Sequence, residues 1–421
     1  MTSTFSTWGA LTGLALAVVL IVRRMAPAYA LLLGALVGGL VGGGGLVSTV
    51  AAMIEGTRGM MPSVLRILAS GVLAGALIKT GSAEKIADAI VKGLGSRFAL
   101  PAVAVSTMLV CAVGVFVDIA VITVAPVALA VGRQAGIPVP ALLLAMIGGG
   151  KAGNVVSPNP NTIAAADAFQ IELTALMTKN LVPALIALAV TVALACALVR
   201  RRPTVNRDVP TEREIAEGGR GRPGLWAAMS GPLVVVSLLA LRPICHVAVD
   251  PLVALPLGGL VSIVMTGNVR RTREMAEFGL SKVSGVVILL IATGTVAGIV
   301  KASCLNADMI AIIRTCHLPA FVLAPLSGIL MAGATASTTA GATIAAQTFS
   351  GALLEAGVPA LSAAAMIHAG ATVVDSLPHG SFFHATGGAV SISVGERMKL
   401  IPYEALVGLS TTLAAIVRHL V

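Results

Sequence analysis

Apolar runs long enough to cross the ~30 Å hydrocarbon layer of a bilayer recur from one end of this 421-residue chain to the other. No other feature constrains the fold as much, because backbone polar groups in hydrocarbon must be satisfied inside the protein. The chain is 57% hydrophobic and only 11% charged, against roughly a quarter charged in soluble domains. It reads as an all-α polytopic membrane protein with no sizeable soluble domain between spans. One run is interrupted by Gly148-Gly-Gly-Lys-Ala-Gly-Asn-Val-Val-Ser-Pro-Asn-Pro-Asn-Thr162, which sets a lysine, three asparagines and two prolines between apolar segments.

The first run, Trp8 to Val22, is followed by Arg23 and Arg24. It has no basic segment before it and no clear small-residue cleavage site, so it reads as a retained span. Cys111, Cys196, Cys245, Cys304 and Cys316 are scattered without CxxC spacing. They are expected to be free thiols, and no metal site or cofactor is expected. A net charge of +10 would suggest nucleic acid in a soluble protein. In a membrane chain it reads as basic loops that set orientation, so the expected partner is the lipid bilayer and not nucleic acid.

The chain threads as two sets of five spans. The first set runs near 8–22, 27–46, 64–79, 139–171 and 180–199, and the second near 226–241, 251–267, 283–300, 360–392 and 402–418. Apolar stretches at about 100–132 and 319–354 are too long for one crossing and are interrupted, so each is expected to be a re-entrant hairpin. This threading collects 20 of the 28 Lys and Arg on one side, among them Arg270, Arg271, Arg273, Lys282, Arg397 and Lys399. That side is expected to be cytoplasmic and both termini extracytoplasmic. Glu55 and Glu84 read as solvated loop acids.

The two halves resemble each other. Ala135-Gly-Ile-Pro138 matches Ala356-Gly-Val-Pro359, and Pro158 aligns with Pro378. Five crossings per half turn the second copy upside down, the arrangement of inverted-repeat secondary transporters. The expected organisation is a first repeat over 1–199, a basic cytoplasmic linker over 200–224 and a second repeat over 225–421. Ser82 to Lys92 reads as an interfacial amphipathic helix, with Leu305 to Thr315 as its counterpart.

Irregular backbone at membrane depth survives only where protein buries it or water lines it. Four interruptions therefore point to one internal cavity. The first is Gly114-Val-Phe-Val-Asp118, and its equivalent is Gly333-Ala-Thr-Ala-Ser-Thr-Thr-Ala-Gly341. The third holds Lys151, Asn154, Ser157, Asn159, Asn161 and Thr162, with Pro158 and Pro160 forbidding a continuous helix. The fourth is Asp375-Ser-Leu-Pro-His-Gly-Ser381, with His384 one turn on. Helix N-termini at Thr162 and Ser381 suit an anion. Amides and hydroxyls of the third break, together with Ser337, Thr338, Thr339, His379, Ser381 and His384, are candidate substrate contacts. Asp118 and Asp375 are intramembrane acids, which are expensive and usually functional, so either is a candidate proton carrier; Asp167 lies beyond the break.

Each feature has a plainer reading. A Gly/Pro break can be a kink, and membrane Ser and Thr often serve helix packing. Lys151 could reach a surface, His368 could be a packing histidine, and the acids could pair structurally with Lys151 or a histidine. No nucleophile–base pair is visible, so no catalytic residue is expected, and an anion channel is the alternative from another class.

Two blocks carry a further signal. Gly148 to Phe169, and His368-Ala-Gly-Ala-Thr-Val-Val-Asp-Ser-Leu-Pro-His-Gly-Ser-Phe-Phe-His-Ala-Thr-Gly-Gly388, resemble the signature of the gluconate permease family, and Arg397-Met-Lys-Leu-Ile-Pro-Tyr-Glu404 fits as well. The similarity runs in order over nearly the whole chain. It implies the fold of the ion transporter superfamily, with inverted repeats, two hairpins and homodimers moving by an elevator mechanism in a bacterial inner membrane. It also implies symport of a small hydroxylated monocarboxylate with a proton, gluconate first. Glycerate, 3-hydroxybutyrate or D-serine are alternative cargoes, and Na⁺ is an alternative coupling ion. The first tip departs from the superfamily's Ser/Asn/Thr-type tip, which favours Asp118 for the proton over the substrate.

Overall fold

The computed structural model describes the chain except residues 1–4, 96–97, 202–222, 246, 248, 306, 309–310, 312–314, 316–318 and 379. Among the described residues the elements are helices, with one isolated parallel bridge between Phe5 and Ser303. The first half begins with α1 (Thr7–Val22), α2 (Pro27–Val41), α3 (Leu46–Arg58), α4 (Met61–Lys79) and α5 (Ser82–Leu94). A helical hairpin follows, α6 (Ala99–Ala112) and α7 (Val117–Gln134). A broken helix comes next, α8 (Val139–Asn154) and α9 (Pro160–Ala168), then α10 (Leu173–Lys179) and α11 (Leu181–Arg201).

The second half supplies α12 (Leu225–Cys245), α13 (Pro251–Met265) and α14 (Thr272–Lys301). Again a hairpin follows, α15 (Leu323–Thr335) and α16 (Thr338–Glu355), and again a broken helix, α17 (Ala360–Gly370) and α18 (Ser381–Ala389). The short α19 (Val394–Met398) and α20 (Ile401–Leu420) end the chain. Among the described residues, five stretches are long and apolar enough to cross a membrane: α4, α7, α11, Val269–Lys301 and Val394–Leu420.

Several boundaries differ from the sequence expectation. α3 occupies residues expected to be loop. Its polar face carries Glu55 and Arg58, an exposed pair at 3.2 Å, so it fails as an apolar span yet still packs on α14. α14 begins at Thr272 and not near 283, because its basic and acidic first turns are still helical: Arg273 donates to Glu277 at 2.7 Å one turn on. Glu84 lies in the first turn of α5 and not in a loop. Arg397, expected on a basic loop, is buried and donates to Glu404 at 3.2 Å. Ser82 to Lys92 is helical, with Ile86, Ala87 and Val91 buried along one side. Its expected counterpart at 305–315 falls largely outside the described residues, as does the 200–224 linker.

Packing relies on small residues, the usual device where lipid supplies no hydrophobic drive between helices. α14 lies against α2, α3 and α4. α6 and α7 pack on α8, and α15 and α16 pack on α17. The two sets also cross over: α16 rests on α9 of the first break, and α7 touches α18 of the second. α11 and α20 close the outside of α8.

The α6–α8 contact gives a direct test. A Cβ on Gly149 would sit 2.1 Å from the Ala104 carbonyl oxygen, a backbone atom that cannot move aside. Gly149→Val is expected to cost about 1–3 kcal/mol through overpacking and to lower the thermal midpoint in detergent. Gly93→Ala, on α5 with nothing within 4 Å, should leave the midpoint unchanged or raise it slightly.

Candidate functional site

Each hairpin turns in few residues, and its tip needs unusual backbone. Gly114 has φ +106 between α6 and α7, a region that favours glycine. At the second tip Ala336 has φ +47, an uncommon conformation for a residue with a Cβ. Ser337 follows as the N-cap of α16, its side chain accepting from the Ala340 amide at 3.3 Å.

The first break is built by its own amides. Pro160 is the first residue of α9, where a missing N–H is harmless. Asn159 is the N-cap, and its Oδ1 accepts from the amides of Asn161 at 3.0 Å and Thr162 at 3.2 Å. Asn159 Nδ2 donates to Asn154 Oδ1 at 2.5 Å, and Asn161 Nδ2 donates to the same oxygen at 2.9 Å. All three asparagines are buried. The network leaves Asn154 Nδ2, Asn161 Oδ1 and Ser157 Oγ buried without partners, a state polar groups seldom keep unless something else fills it.

The second break runs from Ala371 to Gly380. Asp375 lies within it and forms an ion pair with Lys151 at 2.7 Å, with side chains only 3% and 1% exposed. The same lysine donates to the Thr372 carbonyl at 2.7 Å. Asp375 also accepts from Thr338 at 2.5 Å and from Ser376 at 3.0 Å. Lys151 lies in the last turn of α8, Asp375 is in the second break and Thr338 opens α16, so one buried cluster fastens three of the four interruptions together.

All four interruptions meet around one cavity of about 550 Å³. Val117 and Asp118 line it from the first tip, Ser337 to Thr339 from the second, Asn154 and Asn161 from the first break, and Ser381 from the second. α14 closes one wall with Lys282, Gly285, Val286 and Leu289, one helical face at i, i+3, i+4 and i+7. Gly380 is wedged against the second tip, where a Cβ would stand 2.4 Å from the Ala336 oxygen.

The remaining expected residues lie nearby but do not line this cavity. Lys151 and Asp375 are spent on each other. Ser157, Asn159 and Thr162 are buried behind it. The Thr162 N-terminus, expected to meet an anion, is already capped by Asn159. Among the described residues, the Ser381 N-terminus has no side-chain cap. His384 places Nε2 at 2.8 Å from the Pro378 oxygen and lines a smaller neighbouring cavity of about 280 Å³ with Arg24 and Thr335. His379 lies outside the described residues. His368 is buried with neither ring nitrogen partnered.

Lys282 is a cavity residue that the sequence reading placed among orienting loop charges. Its signal was the helical spacing of Lys282, Gly285, Val286 and Leu289, hidden because the span was started too late.

A second cavity of about 720 Å³ lies beyond α9, lined by Arg66, Asp167, Gln170, Glu172 and Asp250. Asn161 at the start of α9 faces the first cavity, and Ile163 and Asp167 face the second. There Arg66 of α4 pairs with Asp167 at the end of α9 and, at 2.7 Å, with Asp250. Ser63 donates to Asp167 at 2.6 Å. The Arg66 hydrogen bond holds the Asp250 carboxyl below its usual range, against a smaller opposing effect of burial. That contribution is present above the ordinary carboxylate pKa and fades as pH falls through the lowered value.

Comparison with known proteins fits this picture. The profile of the GntP family of permeases matches residues 7–420. An uncharacterized transporter of Haemophilus influenzae is 51% identical over 414 residues, covering 98% of each chain. An uncharacterized permease of the same organism is 29% identical over 212 residues, 50% of this chain and 43% of that protein. Among solved structures, the Alcanivorax borkumensis YdaH transporter superposes with a TM-score of 0.64 over 88% of each chain at 16% identity, a likeness of fold.

The buried pair predicts non-additive stability. Lys151→Met alone should destabilise by about 3–5 kcal/mol, because it leaves Asp375 buried without its counter-charge. Lys151→Met with Asp375→Asn should cost clearly less than the sum of the two singles. Thermal or denaturant unfolding of the four proteins in detergent reads this, and strict additivity would contradict it.

Proposed function

The chain belongs to the GntP family of permeases, and from that premise we propose that it is a secondary active symporter of a small hydroxylated monocarboxylate, gluconate or a related sugar acid, with a proton. It is a membrane transporter and not an enzyme. The observation that carries the reading is the convergence of two hairpin tips and two helix breaks on one cavity. Its volume lies in the range of small-molecule sites. Its wall is rich in groups that suit a polyhydroxy acid: three tip hydroxyls, two asparagine amides and the uncapped N-terminus of α18 at Ser381.

In the proposed mechanism the hydroxyls of the cargo meet Asn154, Asn161, Ser337 and Thr339. Asp118, which lines the cavity, carries the proton. Asp375 is held by Lys151 and Thr338 and keeps the site in shape. The helix α9 stands between the two cavities, which favours alternating access over a channel. The two hairpins are re-entrant parts of inverted repeats and move with the broken helices against the outer spans, in a homodimer. In a bacterial inner membrane, with the basic side and the 200–224 linker cytoplasmic and both termini outside, the cavity beside Ala26 and Lys282 opens inward. In that state the Arg66–Asp167 pair ties the moving α9 to α4.

Proteoliposomes with an inward proton gradient and no sodium should accumulate labelled gluconate, and a protonophore should abolish accumulation. Asp118→Asn should lose net accumulation while retaining exchange of internal for external substrate. Accumulation driven only by sodium, or normal accumulation by Asp118→Asn, would overturn the coupling assignment. Uptake of glycerate, 3-hydroxybutyrate or D-serine in place of gluconate would reassign the cargo.

A further inference from the structure

Among the described residues, Asp118 and Lys282 are the charged side chains that line the main cavity. They come from different helices. Asp118 lies in the first turn of α7, at a hairpin tip. Lys282 comes from α14, which packs on α2, α3 and α4. The Lys282 side chain borders the same cavity as Asp118. Its ammonium is steadied by the Phe278 ring, 5.0 Å from Nζ to the ring centre. A Cβ on Gly285, one turn along the same wall, would meet nothing within 4 Å, so that part of the wall is open.

The other charged and titratable groups on the helices packed against α7 do not line this cavity. From α8, Lys151 is held by Asp375. From α5, Asp88 is taken by Lys92 at 2.9 Å. From α18, His384 rests on the Pro378 carbonyl. From α6, the nearby titratable group is the buried Cys111 thiol.

We propose that Lys282 receives the carboxylate of the transported anion, and that Lys282 and Asp118 together set the coupling at one proton per anion. This rests on the cavity being the substrate site. With no cargo the two side chains sum to zero charge. A carboxylate that binds at the ammonium adds a second negative group to the cavity that Asp118 lines. A nearby like charge raises a carboxyl's affinity for a proton, so Asp118 takes one proton from the aqueous side as the anion binds, and the loaded cavity is again neutral. No bond other than the Asp118 O–H is made. Because Lys282 belongs to α14 and the interruptions belong to the hairpins and broken helices, the carboxylate leaves this cation when those elements move.

The test is titration calorimetry of the full-length protein in detergent with gluconate, glycerate and 3-hydroxybutyrate, in two buffers of different ionisation enthalpy at one pH. Wild type should bind one of these anions with uptake of about one proton. Lys282→Gln should bind it at least tenfold more weakly and with a flatter salt dependence, and Lys282→Arg should recover most of the affinity. Asp118→Asn should bind with no proton uptake. Binding by Lys282→Gln within twofold of wild type, or undiminished proton uptake by Asp118→Asn, would overturn the proposal while leaving the transport reading in place. A wild type that binds none of the three anions would overturn both. Size-exclusion profiles of the variants, and Lys282→Arg in particular, separate loss of the cation from loss of the fold.

Discussion

The contact on which the site depends is the buried ion pair between Lys151 and Asp375. Taking both charges out of water is expensive, and their attraction repays it only with good geometry and further hydrogen bonds. Both conditions hold here: the pair is 2.7 Å apart, the lysine also donates to the Thr372 carbonyl, and the carboxylate accepts from Thr338 and Ser376. The partners lie in different broken helices and Thr338 in a hairpin. Satisfying this one carboxylate therefore fixes the relative positions of segments whose own backbone is too irregular to fix them. An apolar pair could pack here, but would lack the directional hydrogen bonds that hold two unwound stretches in one register.

Around that cluster the structure divides its polar work. The asparagines of the first break cap α9 internally, which removes one helix N-terminus from ligand binding and leaves the α18 N-terminus available. Two further charged clusters sit apart from the cavity. Arg397 and Glu404 are both buried, with the Phe383 ring 4.9 Å from the Arg397 guanidinium carbon, and they tie the segment after α18 to α20. Arg66, Asp167 and Asp250 tie α4, α9 and α13 at the other end of α9. Between these clusters close glycine contacts let helices approach, as at Gly71 and Gly279 of α4 and α14.

Much of this was legible in the sequence because bilayer physics leaves few options. Apolar runs meant helices, and polar, glycine- and proline-containing gaps within them meant an interior cavity; the helices stop at 113–116, 155–159, 336–337 and 371–380, at or within a residue or two of those gaps. Residue chemistry was legible too, since Lys151 and the acids at 118 and 375 had few reasons to lie in membrane. What sequence did not give was partnership. Lys151 and Asp375 are 224 positions apart, and only the fold shows that each occupies the other. Lys282 and Arg397 looked like loop charges because hydropathy begins a span at its first apolar turn, whereas α14 begins with charged turns paired at helical spacing. The capping of α9 was missed for a similar reason: Asn159 is a good N-cap, so its side chain was already committed to its own helix.

The central claim is that the four interruptions form one substrate site. Site-directed labelling tests it most directly. Single cysteines would replace Val117, Asn161, Thr339 and Ser381 in a cysteine-free background, one from each interruption and all lining the same cavity. Their alkylation rates would be measured with and without whichever monocarboxylate the protein accumulates. The account predicts that this substrate slows labelling at all four positions, while a cysteine at Gln170 in the second cavity is not shielded by direct contact. Protection at one interruption only, or at Gln170 and none of the four, would contradict it.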